Sequence, residues 1–314
     1  ERYYIIDESS MISDIEDKSA YQAQFGSGKL LTDLLTYNKK GKFIFVGDEA
    51  QLPPITQDIS PALSANYIQN RFKLKVVESS MTNIVRQQED NSIINASTKL
   101  RQMYENPPKV KWAKLPLGGH KDIQLHRDQY HMISHYLNLI KNKNYKKATF
   151  IAPSNYKCNN INKLIRTALG MQETLQVGDL LLVTQNNAIS GLMNGDMVVI
   201  EQIKDERYQR ANLSFRMVEV RELVTRRRYT QLLIENIVYS NKTNLDDIQQ
   251  KSLFIDFYKR MRDVGIKQKD SIFRDKLHND HYLNALRAIF GYAITCHRAQ
   301  GGEWPEVFVD IPRY

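Results

Sequence analysis

The chain has 314 residues, 42% hydrophobic and 25% charged, which is enough for two or three domains with a sizeable core and ordinary for a globular protein. Lys plus Arg is 44 against 35 acidic residues, a formal charge of +9, and this favours a polyanionic partner, nucleic acid first. No apolar run reaches the length of a membrane span. The two cysteines, Cys158 and Cys296, lie far apart without CxxC partners, which argues against a disulfide framework or a structural zinc site and points to a cytoplasmic setting.

In chain order, "YYIIDESSM" (3–11) predicts a buried strand over 3–7 that ends in Asp7-Glu8. "GKLLTDLLTY" (28–37) predicts a helix, and "KFIFVGD" (42–48) a second buried strand. A third strand is expected over 74–78 and a helix over 91–104. Strands alternating with helices imply a parallel sheet covered by helices. The Pro- and Gly-rich "NPPKVKWAKLPLGGH" (106–120) reads as an inter-domain crossing. A helix (128–141), a strand (147–153) and a helix (156–169) open a second α/β unit. From 177 to 239 come four short strands separated by turn residues and charge, the pattern of a small antiparallel barrel, and 244–288 reads as helical. "GYAITCHRAQGGEW" (291–304) then leads to a buried strand, "VFVDI" (307–311).

Four stretches carry chemistry. A strand ending in Asp-Glu is the Walker B arrangement: Asp7 would hold Mg²⁺ and Glu8 would polarise the water that attacks a γ-phosphate. The plain alternative is a solvated strand end. In "VGDEAQLPPI" (46–55), Asp48 again ends a strand, and Gln51 follows on a loop where it could orient a water or touch a phosphate oxygen. In "VRQ" (85–87), Arg86 could reach charge developing on the γ-phosphate, although a lone Arg is usually a surface residue. In "AITCHRAQGGEWPEVFVD" (293–310), Thr295, His297 and Gln300 precede Gly301-Gly302, which permit close backbone approach, and Glu303. His297 could also be a packed core histidine.

Taken together and in this order, "DESSM", "GDEAQLPP", "VRQ" and "AITCHRAQGGEW" resemble motifs II to V of superfamily-one helicases, most closely the RecD-like branch. The resemblance covers essentially the whole chain. It implies two RecA-like, P-loop-NTPase-type parallel sheets in an α/β fold, the first incomplete, with an inserted SH3-like barrel. The expected division is 1–118 for the first RecA-like domain, 119–176 and 286–314 for the second, and 177–285 for the insertion.

Carried over by position, Glu8, Gln51 and Arg86 are catalytic. Asp7, Asp48 and Glu303 bind ATP, with Asp7 the Mg²⁺ ligand. Thr295, His297 and Asn155 face DNA. The function implied is an ATP-dependent, 5′→3′ DNA helicase acting on single strands and duplex junctions, in DNA repair or recombination. Its nuclease or repair partners are left open.

No Walker A motif is present. "FGSGKLL" (25–31) is a decoy, with Leu30 where Ser or Thr should stand and Ala23 at the place of the first glycine. The family's final arginine motif is absent as well. The expectation is therefore a helicase cut at both ends and inactive as it stands, and the rival is a non-enzymatic nucleic-acid-binding module of helicase descent. His131 and His135, at i,i+4 on a helix, suit a metal but lack a third ligand. "TRRRYT" (225–230) and "YKRMRDVGIKQK" (258–269) are either phosphate-tracking or solvated basic faces.

Overall fold

The computed structural model describes residues 2–16, 26–55, 57–81, 91–110 and 114–311. The chain is mixed α/β with parallel sheets and divides into two compact units, Glu1–His126 and Arg127–Tyr314.

In the first unit, β1 (Tyr3–Ile6) leads through a 3₁₀ turn to α1 (Leu30–Tyr37), then β2 (Lys42–Phe45), α2 (Ala65–Phe72) and α3 (Ser92–Glu105). β1 and β2 pair in parallel, with Tyr3 opposite Lys42 and Ile6 opposite Phe45. One face of this pair, with Ile6, Phe43 and Phe45, packs on a core of Ile12, Leu31, Leu35, Ala62 and Ile68. The other face leaves Tyr3, Ile5 and Ile44 exposed, Ile5 by 72%. The expectation that 3–7 is a fully buried strand is therefore corrected: among the described residues only β2 flanks it, and one face lacks a covering layer.

The strand expected at 74–78 is also absent. Lys73 ends α2 in a left-handed conformation, and residues 73–81 run on without a ladder, leaving Val77 86% exposed. Polar pegs hold the unit together. The buried Asp14 carboxylate accepts from the Thr32 amide (3.0 Å) and hydroxyl (2.6 Å) and from the Tyr67 hydroxyl (2.8 Å), tying α1 and α2 to the segment after β1.

The second unit begins with α4 (Gln129–Leu139), β3 (Ala148–Ala152) and α5 (Asn155–Ala168). Then come β4 (Leu180–Val183), β5 (Met197–Arg210), β6 (Leu213–Glu222), β7 (Arg228–Ile234), α6 (Glu235–Val238), α7 (Asp247–Asp263) and α8 (Ser271–His278). The chain closes with β8 (Ala288–Phe290), β9 (Ala293–Thr295), α9 (Cys296–Ala299) and β10 (Glu306–Val309). A three-stranded parallel sheet has the order β10-β3-β9, and a five-stranded antiparallel sheet the order β7-β6-β5-β4-β8.

The five-stranded sheet curls, because register shifts between Ile200 and Gln202 and between Ile203 and Arg207 bend β5. β7 meets the segment just before β8 through one parallel bridge, Leu233–Leu286, where Ile234 donates to Leu286 (3.1 Å) and Leu286 donates to Leu232 (2.7 Å). β8 pairs with β4, so the chain re-enters the parallel sheet at Ala293.

One hydrophobic core runs through both sheets of this unit. Phe150, Ile161 and Ala293 belong to the same cluster as Leu181, Val198 and Val220. The crossing between the sheets, Gly291-Tyr292, is clamped. The Gly291 amide donates to Leu180 (2.9 Å), and a Cβ at this position would lie 3.0 Å from the Leu182 nitrogen. The Tyr292 hydroxyl donates to Asp179 (3.1 Å), whose carboxylate also takes the buried Arg166 guanidinium (Nε 2.8 Å). A second core, with Phe215, Leu253, Phe257 and Phe273, joins the far half of the β5–β6 hairpin to α7 and α8. An Asp246/Gln249 capping box starts α7. Among the described residues no helix is long and apolar enough to cross a membrane.

Candidate nucleotide and nucleic-acid sites

In the first unit, β1 and β2 end side by side, and four predicted residues leave the sheet at that edge. Val46 donates to Ile6 (2.9 Å), and Ser9 donates its amide to Val46 (2.9 Å) and its hydroxyl to Ile6 (2.7 Å), so the chain after β1 folds across the end of β2. This fold-back puts Glu8 in the left-handed region (φ 50°), an uncommon conformation for a residue with a Cβ. Asp7 Oδ1 accepts the Glu8 amide (2.9 Å), and both acidic residues are exposed. Gly47 lies where a Cβ would be 3.1 Å from the Ser10 nitrogen and 3.0 Å from Leu63, so only glycine fits without displacement.

Asp48 accepts the Ala50 amide (2.9 Å) and the guanidinium of Arg101 from α3, and the Gln51 amide donates to the Asp48 carbonyl (3.0 Å). The structure thus places Asp7, Glu8, Asp48 and Gln51 along one sheet edge, where two carboxylates could face a metal–phosphate group. Arg101 was missed by sequence reasoning. It sits in a helix with no local signal, and only the fold brings it to Asp48. Arg86 and Ala23 lie outside the described residues.

The glycine turn before α1 differs from a phosphate cradle. Gly26 (φ 61°) and Gly28 (φ 80°) wrap Ser27 around the Asp33 carboxylate, which takes the Ser27 amide (2.9 Å) and hydroxyl (2.7 Å). A Cβ at Gly26 would stand 2.4 Å from Asp33 Oδ2. An anion already fills this turn, and it is the chain's own.

In the second unit, β3 and β9 end together, with Ala152 opposite Thr295. Ser154 caps α5 by accepting the Lys157 amide (3.2 Å), and this sets Asn155 as the first helical residue, exposed at the sheet's carboxyl edge. Thr295 ends β9, and His297 follows on the short α9, part exposed. Glu303 stands apart from this edge. It lies on the returning segment, three residues before β10 starts opposite Ala148 at the other end of β3. Gly302 is covered by the Trp304 ring, which would lie 2.1 Å from a Cβ there.

Asn162 locks β9 in place: its amide nitrogen donates to the Phe290 carbonyl (2.9 Å) and its oxygen accepts the Ala293 amide (2.7 Å). It was not anticipated, although an Asn on the apolar face of α5 beside Ile161 and Ile165 is a visible anomaly. Burial pushes the Cys158 thiol up to about 12 and lowers the pKa of the nearby Arg298, whose Nη1 is buried without a hydrogen-bond partner among the described residues.

In the remaining basic and histidine motifs some side chains are paired, while Arg226 and Arg227 stay exposed. Arg228 pairs with Glu201 (2.6 Å), and Arg260 with Asp256 (2.8 Å) and Asp280. His131 contacts Asp128 (2.8 Å) and His135 contacts Glu306 (3.7 Å). Among the described residues no cluster of three metal-ligating side chains occurs.

Residues 290–314 match the UvrD-like helicase C-terminal domain family. No curated protein matches the sequence. Solved structures of similar outline include Bacteroides Pif1 bound to ssDNA, with 15% identity and a TM-score of 0.48, over 98% of this chain and 64% of that one. Pif1 helicase from Bacteroides in complex with ADP-AlF3 and ssDNA gives 16% and 0.47, over 99% and 64%. Pif1 helicase from Candida albicans gives 14% and 0.45, over 98% and 66%. The chain thus spans less than two thirds of the length of these structures.

Proposed function

We propose that this chain is the motor part of a superfamily-one, RecD-like DNA helicase that couples ATP hydrolysis to 5′→3′ movement along single-stranded DNA. The observation that carries the reading is the helicase-family match over 290–314, because it falls on the segment where Thr295 and His297 reach the sheet edge. The edge formed by β1 and β2 adds a carboxylate pair suited to Mg²⁺-ATP, with Asp7 on the metal and Glu8 on the attacking water.

The residues assign the chemistry as follows. Glu8 polarises the water that attacks the γ-phosphate and accepts its proton, Gln51 orients that water, and Arg86 offsets the charge that develops. Mg²⁺, which Asp7 would hold, would supply charge neutralisation to the nucleotide's phosphates. Asn155, Thr295 and His297 hold the DNA backbone on the second unit. Among the described residues, the one glycine turn that resembles a phosphate-binding loop is filled by Asp33 and offers no phosphate cradle. That filled turn also favours the second reading, a nucleic-acid-binding module without turnover.

Two measurements test this. Affinity for single-stranded DNA should fall with salt, with a slope of about −0.7 per phosphate contacted, and depend little on sequence. A flat salt response or a strong preference for one short sequence would overturn DNA tracking. In a longer protein that includes a Walker A motif, Glu8→Gln should keep ATP affinity and lose most of kcat. If turnover is unchanged, Glu8 is not the catalytic carboxylate.

A further inference from the structure

The carboxyl edge of the β10-β3-β9 sheet carries two aromatic side chains that the proposed roles leave unused. Tyr156 is the second residue of α5 and 66% exposed; Tyr130 is the second residue of α4 and 74% exposed. Neither ring nor hydroxyl has a hydrogen-bond, ring or cation–π partner among the described residues.

The residues next to each of them meet at the same point. Asp310, just past the end of β10, takes Gln129 Nε2 (3.4 Å) from the residue before Tyr130 and pairs with Lys157 Nζ (3.6 Å) from the residue after Tyr156. Its own amide donates to Ile151 of β3 (2.8 Å), so the anchor is part of the sheet. α4 runs back along β10, with Gln129 near Asp310 and His135 near Glu306, and this orientation brings its first turn to the carboxyl edge. Asp128 and Ser154 cap the two helices and fix where each tyrosine leaves its first turn.

A single exposed tyrosine on a soluble protein needs no explanation. Two tyrosines without partners stand on the first turns of two helices whose adjacent residues meet at one carboxylate, on the edge that also holds Asn155 and Thr295. Every nucleobase presents a π-face, so such rings hold bases without reading sequence. Pro153, Ser154 and Asn155 are also exposed, and Arg127 lies exposed beside the α4 cap, leaving room and charge for a phosphate backbone alongside the rings.

We propose that Tyr156 and Tyr130 form a two-ring platform that stacks bases of a single strand crossing the carboxyl edge of this sheet. The platform rests on the DNA-tracking reading above and adds the base-contacting side of the site. It makes the grip a sum of phosphate contacts, which respond to salt, and stacking contacts, which do not.

The test uses the 314-residue chain and fluorescence anisotropy with labelled oligo-dT and an abasic oligomer of the same length. Tyr156→Ala and Tyr130→Ala should each weaken oligo-dT binding about 5- to 100-fold, the range expected from losing one base–aromatic stack. Tyr156→Phe and Tyr130→Phe should bind as the parent does. On the abasic oligomer the Ala variants should match the parent, and the salt slope should not change, because no phosphate contact is removed. Both side chains are exposed, so thermal unfolding should be unaltered, and a loss of binding then cannot be a loss of fold.

If the parent binds oligo-dT and both Ala variants bind as tightly, the platform is wrong while DNA tracking stands. The same holds if the loss is equal on abasic DNA. In either case the tyrosines serve another surface, such as a protein contact. If the parent binds no single-stranded DNA at any salt, the functional reading fails first and the platform with it.

Discussion

β1 and β3 look alike in sequence and live in different surroundings. "YYII" and "ATFIA" are both short apolar runs that lead into polar residues. β3 is flanked by β10 and β9, packed by α4 and α5, and buried at four of its five positions, with Phe150 at 0% exposure. β1 has β2 alone among the described residues, and its residues alternate between exposed and half-buried. Apolar composition states what a strand can bury; neighbours decide what it does bury. The first unit compensates with polar pegs, and the second with a continuous core.

Truncating the core of the second unit tests the contrast most strongly. Phe150→Ala should destabilise that unit by about 3–5 kcal/mol, the usual cost of removing a fully buried aromatic side chain. Denaturant unfolding followed by hydrogen exchange in β3, β9 and β10 would show it. A cost under about 1 kcal/mol would mean that the core can collapse onto the gap, and the contrast with β1 would lose its physical basis.

Next in size is the polar peg of the first unit. Asp14→Ala leaves the Thr32 amide and hydroxyl and the Tyr67 hydroxyl without their shared acceptor. Buried donors left unpaired cost about 1–3 kcal/mol; these donors are half-buried, so the cost should fall near the lower end, about 1 kcal/mol, still more than any change on the open face of the sheet. Exchange protection in α1 and α2 is the readout. Protection that survives the change would show that the small apolar core, and not Asp14, holds these helices.

Much of the candidate site was legible because it lies at strand ends. Asp7, Glu8, Asp48 and Gln51 were placed correctly on one edge by a single inference, that two neighbouring parallel strands end together. Local rules also found β3, α5 and the change of texture near 177. Contacts made at a distance were invisible. Arg101 reaches Asp48 across 53 positions, and Asn162 reaches Ala293 across 131. The end of the segment expected to be helical, at 288, is instead the start of β8, and nothing in the apolar stretch 288–295 reveals that Gly291 divides it between two sheets. The strand expected at 74–78 had the right alternation but finds no partner among the described residues, and a strand without a ladder is only an extended segment.

A smaller effect depends on pH and lies in the turn between β6 and β7. Burial alone would raise the pKa of Glu222, but the Thr225 side chain and the amides of Val224 and Thr225 bond the carboxylate and bring the net shift below the ordinary value. A depressed folded-state pKa stabilises above the unfolded pKa, about 4.3 for Glu, and the contribution fades as pH falls through the folded value. Exchange at the Val224 and Thr225 amides should therefore quicken on acidification beyond the intrinsic trend, and Glu222→Gln should abolish that extra pH dependence. An identical pH profile in the variant would assign the turn's rigidity to the left-handed Arg226 conformation instead.

The smallest expected effect sharpens the comparison from the other side. Ile5 is 72% exposed on the open face of β1 and keeps its place through the ladder with Ile44. Ile5→Thr retains the β-branch that favours extended backbone and removes one apolar methyl-bearing arm from a surface already wet. In this chain the change should shift stability by no more than about 0.5 kcal/mol, the usual size for a surface substitution. Phe150→Ala and Ile5→Thr then differ several-fold although both alter an apolar residue in a short parallel strand. If Ile5→Thr instead costs 1.5 kcal/mol or more, well above that ~0.5 kcal/mol surface range, the open face is covered in solution. Repeating the measurement over a hundredfold range of protein concentration would then identify the cover. A cost that grows with concentration points to a second copy of the chain, since association adds stability by mass action, and a cost independent of concentration points to a layer supplied within the chain.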